Sequence, residues 1–144
     1  MPTFEEAVAF FEELGDRWEL TDSLIPLGNA LRFSGQKERA RGYYLRGLDL
    51  IVGAGNRQMS MGFLFLLSAL EGELGRHQRA VRLWGAAEAA REVTGAVAPP
   101  VAGRIIGDPV AAARQAIGDE VVDRALAEGR AMDRDAAIAY AHEA

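Results

Sequence analysis

Few residues of this chain have the type and spacing to do chemistry. The segment Leu48-Asp-Leu-Ile-Val-Gly-Ala-Gly-Asn56 reads like a strand entering a glycine turn that would cradle a dinucleotide pyrophosphate. The third glycine of that fingerprint would have to stand at Gln58, and Glu71 and Glu73, about 20 positions on, close a helical pattern rather than a second strand. The fingerprint fails, and Gly55 reads as a helix stop. His77, expected in an interhelical turn, and His142 have no histidine or cysteine neighbour at a metal-ligand spacing. A catalytic base also needs a nucleophile and an orienting group, and neither histidine has them nearby in sequence. The pairs Glu5-Glu6 and Glu12-Glu13 are adjacent residues on helices, where side chains diverge by about 100° and cannot share one proton. No catalytic, cofactor-binding or metal-binding residue is expected, and the chain is read as a non-enzyme.

The elements around these residues explain the poverty of chemistry. The 144 residues carry no cysteine, which excludes disulfides, thiolate zinc sites and cysteine nucleophiles. A formal charge of −5 argues against a nucleic-acid surface, because phosphate-backbone binding is driven by clustered positive charge. The alanine content and the single lysine, Lys37, among many arginines read as genome composition. Met1-Pro-Thr-Phe-Glu-Glu6 is acidic where a basic leader is needed, so a cytoplasmic location is expected. The longest apolar stretch, Met59 to Leu70, is interrupted by Ser60, Gly62 and Ser68 and closed by Glu71. It falls short of the ~18–20 residues that span a bilayer and reads as a core helix with no membrane role.

A repeat dominates the pattern. Gly15, Gly35, Gly55, Gly75 and Gly95 recur every 20 residues, with helical apolar periodicity between them. Helices are expected at 3–14, 17–34, 36–54, 57–74 and 76–94. Pro26 predicts a kink in the second, or a start delayed towards Ser23. At an offset of 40, Leu27 aligns with Leu67, Gly35 with Gly75, Ala40 with Ala80 and Tyr44 with Trp84. Ala40, Tyr44, Gly47, Leu48 and Ile51 form one apolar stripe; Ala80, Leu83, Trp84, Ala87 and Ala90 form a second, narrower because Glu88 and Arg91 replace Leu48 and Ile51. A two-helix unit cannot hide its stripe alone, so the period points to stacked hairpins. The first helix matches a second-of-pair helix, so either a partner segment upstream or some other cover for it is expected. Pro99-Pro100 ends the repeat. Beyond it, Asp108-Pro109, Gly118-Asp119 and Asp133 or Asp135 start short helices. The expected fold is an all-α, α-α superhelix of helical hairpin repeats over 1–96, with a helical C-terminal cap over 97–144.

Leu27-Gly28, Gly35, Ala40, Tyr44 and Gly47 resemble tetratricopeptide repeats of a slightly lengthened kind. Phe11-Glu-Glu-Leu-Gly-Asp-Arg-Trp18, Leu27-Gly-Asn-Ala-Leu31, Ala80-Val-Arg-Leu-Trp-Gly-Ala-Ala-Glu-Ala-Ala90 and Leu126-Ala-Glu-Gly-Arg-Ala131 look like the C-terminal arrays of large LuxR-type bacterial transcriptional regulators. That resemblance implies a non-catalytic sensor module that binds an effector or partner protein and passes a signal to other domains. The phosphate-binding loop and helix-turn-helix of those regulators have no counterpart here. Ser68 and Glu71 stand where the repeat carries a glycine and an aromatic, so the second hairpin is expected to pack atypically.

In tetratricopeptide-like stacking the first helix of each pair lines the concave side, which would place Asp22, Asn29, Arg32 and Phe33 beside Phe65, Ala69 and Glu73. Asn29 and Arg32 would hold a carboxylate, with Phe33 and Phe65 as apolar anchors. The expected partner is a protein or peptide. Residues 58–74, with Met59, Met61, Phe63, Leu64, Phe65, Leu66 and Leu67, leave hardly any polar face, and a helix apolar all round must be covered on all sides. A homodimer is expected to cover it, with a tail folded back as the other solution. The alternative function is a small-molecule receptor whose apolar pocket is lined by this helix.

Overall fold

A computed structural model describes residue 6 and residues 17–53, 57–94 and 106–143, with side chains described over 24–53, 60–93 and 106–143. Among the described residues there are seven helices and no strand: α1 (Arg17–Phe33), α2 (Lys37–Gly53), α3 (Arg57–Glu73), α4 (His77–Thr94), α5 (Pro109–Ile117), α6 (Asp119–Arg130) and α7 (Arg134–His142). The chain is all-α. Of the helix expected over 3–14, only Glu6 is described; it is helical and exposed. The chain divides into two compact units, Met1–Asn56 with α1 and α2, and Arg57–Ala144 with α3 to α7.

Both hairpins close in the same way. Gly35 and Gly75 have φ of 88° and 83°, the left-handed region that glycine enters without a Cβ penalty. After α1, the Gln36 amide donates to the Leu31 carbonyl at 2.8 Å and the Gly35 amide to Arg32 at 3.2 Å. After α3, Arg76 donates to Glu71 at 2.9 Å and Gly75 to Gly72 at 3.0 Å, the same two bonds moved by one repeat. Gly15, Gly55 and Gly95 lie outside the described residues.

In the first unit, α1 packs along α2, whose buried residues are Ala40, Tyr44, Gly47, Leu48 and Ile51. The Tyr44 ring lies over Gly28, where a Cβ would come 2.5 Å from ring Cε1, so the glycine makes room for the aromatic. Helix α1 runs from Arg17 with Pro26 inside it, and its start is not delayed to Ser23. Leu24, Leu27 and Leu31 are buried on either side of the proline. Burial of these leucines, at ~1.5–3 kcal/mol each, outweighs the ~3 kcal/mol that proline costs a helix interior. Leu48 to Gly53 are the last turns of α2, so the apparent strand of the dinucleotide pattern is helix.

In the second unit α4 is central, touching α3, α5, α6 and α7. Its buried surface is wider than the narrow stripe expected from sequence. Ala80, Leu83 and Ala87 are buried as the stripe requires, and so are Val81, Gly85 and Ala86 on a second side. The reason is the tail: Val81 forms a core with Ala113 of α5 and Val122 and Ala125 of α6. At Gly85 an added Cβ would meet the Leu126 carbonyl oxygen at 2.5 Å, and at Gly129 it would collide with the Arg82 carbonyl. Two backbones therefore touch through facing glycines. His77 opens α4 rather than sitting in the turn.

Short-range capping fixes the tail helices. The Asp108 carboxylate accepts from the Ala111 amide at 3.0 Å with Pro109 at the first helical position, and Asp133 accepts from Ala136 at 2.7 Å. On α3, Met61, Phe63, Leu64, Leu66, Leu67, Ala69 and Leu70 are buried within a single chain, and α4, α5 and α7 all touch this helix. Among the described residues no helix is long and apolar enough to cross a membrane.

Gly129→Ala should destabilise the chain by ~1–3 kcal/mol, because the methyl must displace a backbone carbonyl. Gly62→Ala, in α3 with no atom within 4 Å of the added methyl, should stabilise it by ~0.5–1 kcal/mol. Thermal melts of the two variants should move in opposite directions; a Gly129→Ala protein as stable as the parent would contradict the crossing.

Candidate functional site

The residues expected to contact a partner fall on both units. On α1, Asn29 is half-buried and accepts a hydrogen bond from the Tyr44 hydroxyl. Arg32 is only 4% exposed, its guanidinium carbon 4.9 Å from the Phe33 ring centroid. Phe33 itself is 63% exposed. The side chain of Asp22 lies outside those described. On α3, Phe65 is half-buried and meets Trp84 edge-on, with centroids 4.8 Å apart and an interplanar angle of 75°. Glu73 is exposed. Of these residues, Phe33 and Glu73 present the most surface; Asn29 and Arg32 are engaged in the fold.

The second unit contains a groove of about 540 Å³. Ser60, Met61 and Leu64 of α3 form one side, and Ala86, Ala89, Ala90 and Val93 of α4 form the floor. The turn after α6 and the first half of α7 supply Met132, Arg134, Ala137 and Ile138 as the opposite wall, with Asp133 and Asp135 at its edge. The sequence reading placed an apolar pocket on residues 58–74 but missed the floor and far wall. A signal for the floor was present: Ala86, Ala89, Ala90 and Val93 stand at i, i+3, i+4 and i+7, one face of a helix. Val93, 86% exposed, marks where that face leaves the covered core.

The far wall is held by charge rather than by apolar contact. The buried residues of α7 are Ala137 and Ala141, small side chains with little surface to contribute. Its C-terminal end is gripped by Arg79, which donates to the carbonyls of Tyr140 at 3.1 Å, Ala141 at 3.0 Å and also Glu143. The Tyr140 ring centroid lies 5.2 Å from the Arg79 guanidinium and 6.0 Å from that of Arg82, and Arg82 donates to the Tyr140 hydroxyl at 3.2 Å. This arrangement places cations at the negative end of a helix dipole.

Arg79 is in turn positioned by Glu71, 1% exposed and 3.3 Å from Arg79 Nε. Arg76 reaches the same carboxylate oxygen at 3.2 Å. Burying a carboxylate is costly without such partners. The atypical packing expected at Ser68 and Glu71 therefore takes a definite form: a buried ion cluster at Glu71, and a Ser68 hydroxyl donating to the Ala80 carbonyl at 2.6 Å. On the α6 side, Arg130 bridges Glu88 at 3.1 Å and Glu92 at 2.5 Å. The hydrogen bond to Tyr140 raises the Arg82 pKa above its ordinary value; burial opposes it, and Glu128 at 3.0 Å adds to the rise. A raised folded-state value stabilises fully below the unfolded value and is lost only as pH rises through it, so this grip is constant across neutral pH.

Among the described residues no group of three or more His, Asp or Glu is placed to hold a metal ion. The geometry is that of a recess with apolar walls and a charge-fastened side.

Tyr140→Ala removes the ring between the two arginines and the hydroxyl that accepts from Arg82. Amide exchange over 134–142 should accelerate about tenfold or more, with the amides of α3 and the middle of α4 unchanged. Unchanged exchange over 134–142 would contradict the charge-fastened wall.

No protein-family model and no solved structure matches the chain. Relatives of known name do match. The chain is 49% identical over 76 residues to proteins provisionally named HTH-type transcriptional regulators: Mb0914c of Mycobacterium bovis, and MT0914 and Rv0890c of the CDC 1551 and H37Rv strains of Mycobacterium tuberculosis. The matched segment is 53% of this chain and 9% of the length of each relative.

Proposed function

We propose that this chain is a non-catalytic sensor and protein-interaction module of a bacterial transcriptional regulator. The observation that carries this reading is the 49% identity to named regulators over about half of the chain. Helical hairpins closed by matching turns supply the kind of scaffold that presents exposed side chains to a partner, and Phe33 is the side chain with the surface to anchor one. Asp22, Asn29 and Arg32 of α1 remain candidate contacts of the first unit, and Phe65 and Glu73 of α3 are candidate contacts of the second. A tetratricopeptide-like succession of hairpins and a cytoplasmic location belong to this proposal. Self-association belongs to it as well.

The groove favours a second reading, a receptor for a small molecule. Its volume of about 540 Å³ lies within the ~300–1,000 Å³ of ordinary small-ligand sites, and its walls are mostly apolar.

Thermal-shift screening of the whole chain against peptides and metabolites tests both, since a ligand that binds only the folded state raises the melting temperature. A saturable stabiliser recovered chemically unchanged is expected. Phe33→Ala should leave the melting temperature of the free chain within a few degrees and weaken a partner anchored on α1 about tenfold or more. Ala90→Trp should fill the groove and abolish binding of a small molecule there. Conversion of any hit to product by the chain would overturn the non-catalytic reading.

A further inference from the structure

The apolar groove of the second unit carries one unpaired charge. Arg134 opens α7, Ala137 and Ile138 follow it at i+3 and i+4, and all three line the groove, so the guanidinium stem shares a helix face with the apolar wall. Among the described residues Arg134 has neither an ion-pair partner nor a hydrogen-bond acceptor. The side chain is half-buried. Of its guanidinium nitrogens only Nε is shut away from water without a partner, so the two Nη groups keep the surface that a ligand would meet.

The other charges around the groove are already engaged or stand at its edge. Arg130 is held by Glu88 and Glu92, and the Asp133 carboxylate caps the Ala136 amide at 2.7 Å. Asp135 is exposed and set about 100° round α7 from Arg134. Arg130 and Arg134 are thus accompanied by more carboxylates than they can neutralise, and an anion with no apolar surface of its own gains little here. What Arg134 suits is a carboxylate that brings an apolar body to the floor beside it.

We propose that the groove holds an amphipathic carboxylate, its aliphatic tail along the alanine floor and its head on Arg134. The proposal rests on the receptor reading of this groove and names the ligand class. Guanidinium presents two parallel N–H donors to a carboxylate, and apolar walls that thin the water around the pair strengthen it. Ala86, Ala89 and Ala90 leave a smooth trough without protruding side chains, and Met61 and Met132 have flexible thioether stems that adapt to a chain laid between them. Tail and head are both required, because neither the trough nor the single cation is strong alone.

Titration calorimetry of the whole chain with octanoate, octanol and octylammonium, below micelle-forming concentrations and at constant ionic strength, tests the assignment with one tail and three head groups. Octanoate should bind saturably at one site, about tenfold or more tighter than the other two, and acetate should give no saturable heat. From hexanoate to decanoate each methylene should tighten binding about two- to fourfold, the upper figure being that of full burial. The methyl resonances of Met61 and Met132 should move on binding. Arg134→Gln should weaken octanoate about tenfold and leave octanol within about twofold, and Arg134→Lys should recover part of the loss. Arg124→Gln removes the same charge on an exposed part of α6 outside the groove and should leave octanoate within about twofold. Circular dichroism would establish that the variants remain helical. Octylammonium binding tighter than octanoate would assign the head group to the aspartates and overturn the proposal, as would octanol matching octanoate in the parent and in Arg134→Gln alike. Octanoate silent up to about 5 mM while a non-acidic metabolite moves Met61 and Met132 would overturn the carboxylate and leave the receptor reading standing. No compound moving them would remove both.

Discussion

The second unit depends on the closeness with which α6 approaches α4. Gly85 and Gly129 remove the two side chains that would hold the helices apart, so backbone carbonyls lie where Cβ atoms would otherwise be. The resulting contact lets Val81 reach Ala113, Val122 and Ala125, and those side chains exclude water from the joint. Placement then follows along the chain: α6 fixes the turn at Ala131 to Asp133, Asp133 caps α7, and α7 becomes the wall opposite α3. The groove is thus a consequence of two glycines about 45 residues apart in sequence, neither of which lines it.

The apolar joint has a polar counterpart. Glu71 is buried on α3 and tolerated because Arg76 and Arg79 stay with it; Arg79 extends the chain of charge to the carbonyl end of α7. A helix whose buried residues are two alanines is positioned by directional bonds rather than by area, which makes its location specific without making it deeply stable.

Local features were legible in the sequence because local chemistry determines them. Glycine at the end of a helical pattern gave the stops at Gly35 and Gly75, and Asp-Pro at 108–109 and Asp133 gave helix starts whose carboxylates do cap. The stripe from Ala40 to Ile51 is buried residue for residue. What was not legible depends on pairings distant in the chain. Alanine suits a core, a helix surface and a groove floor alike, so Ala86, Ala89 and Ala90 gave no sign of what faced them. Gly85 and Gly129 could be matched only with a three-dimensional partner in view. The burial of Glu71 was concealed because a glutamate following an apolar run ordinarily ends it at solvent. For the candidate contacts, residue type was an uneven guide to availability: Arg32, expected to hold a carboxylate at the surface, is buried, whereas Phe33 beside it, expected as an apolar anchor, is exposed.

The second unit holds its recess by one backbone crossing and one cluster of charge. The crossing is the more fundamental, since the turn into α7 begins where α6 leaves α4. Nuclear Overhauser contacts in the folded chain address it without any mutation. The account predicts direct contacts between the α-protons of Gly129 and those of Arg82 or Gly85; a spectrum in which Gly129 contacts only residues of its own helix would contradict it.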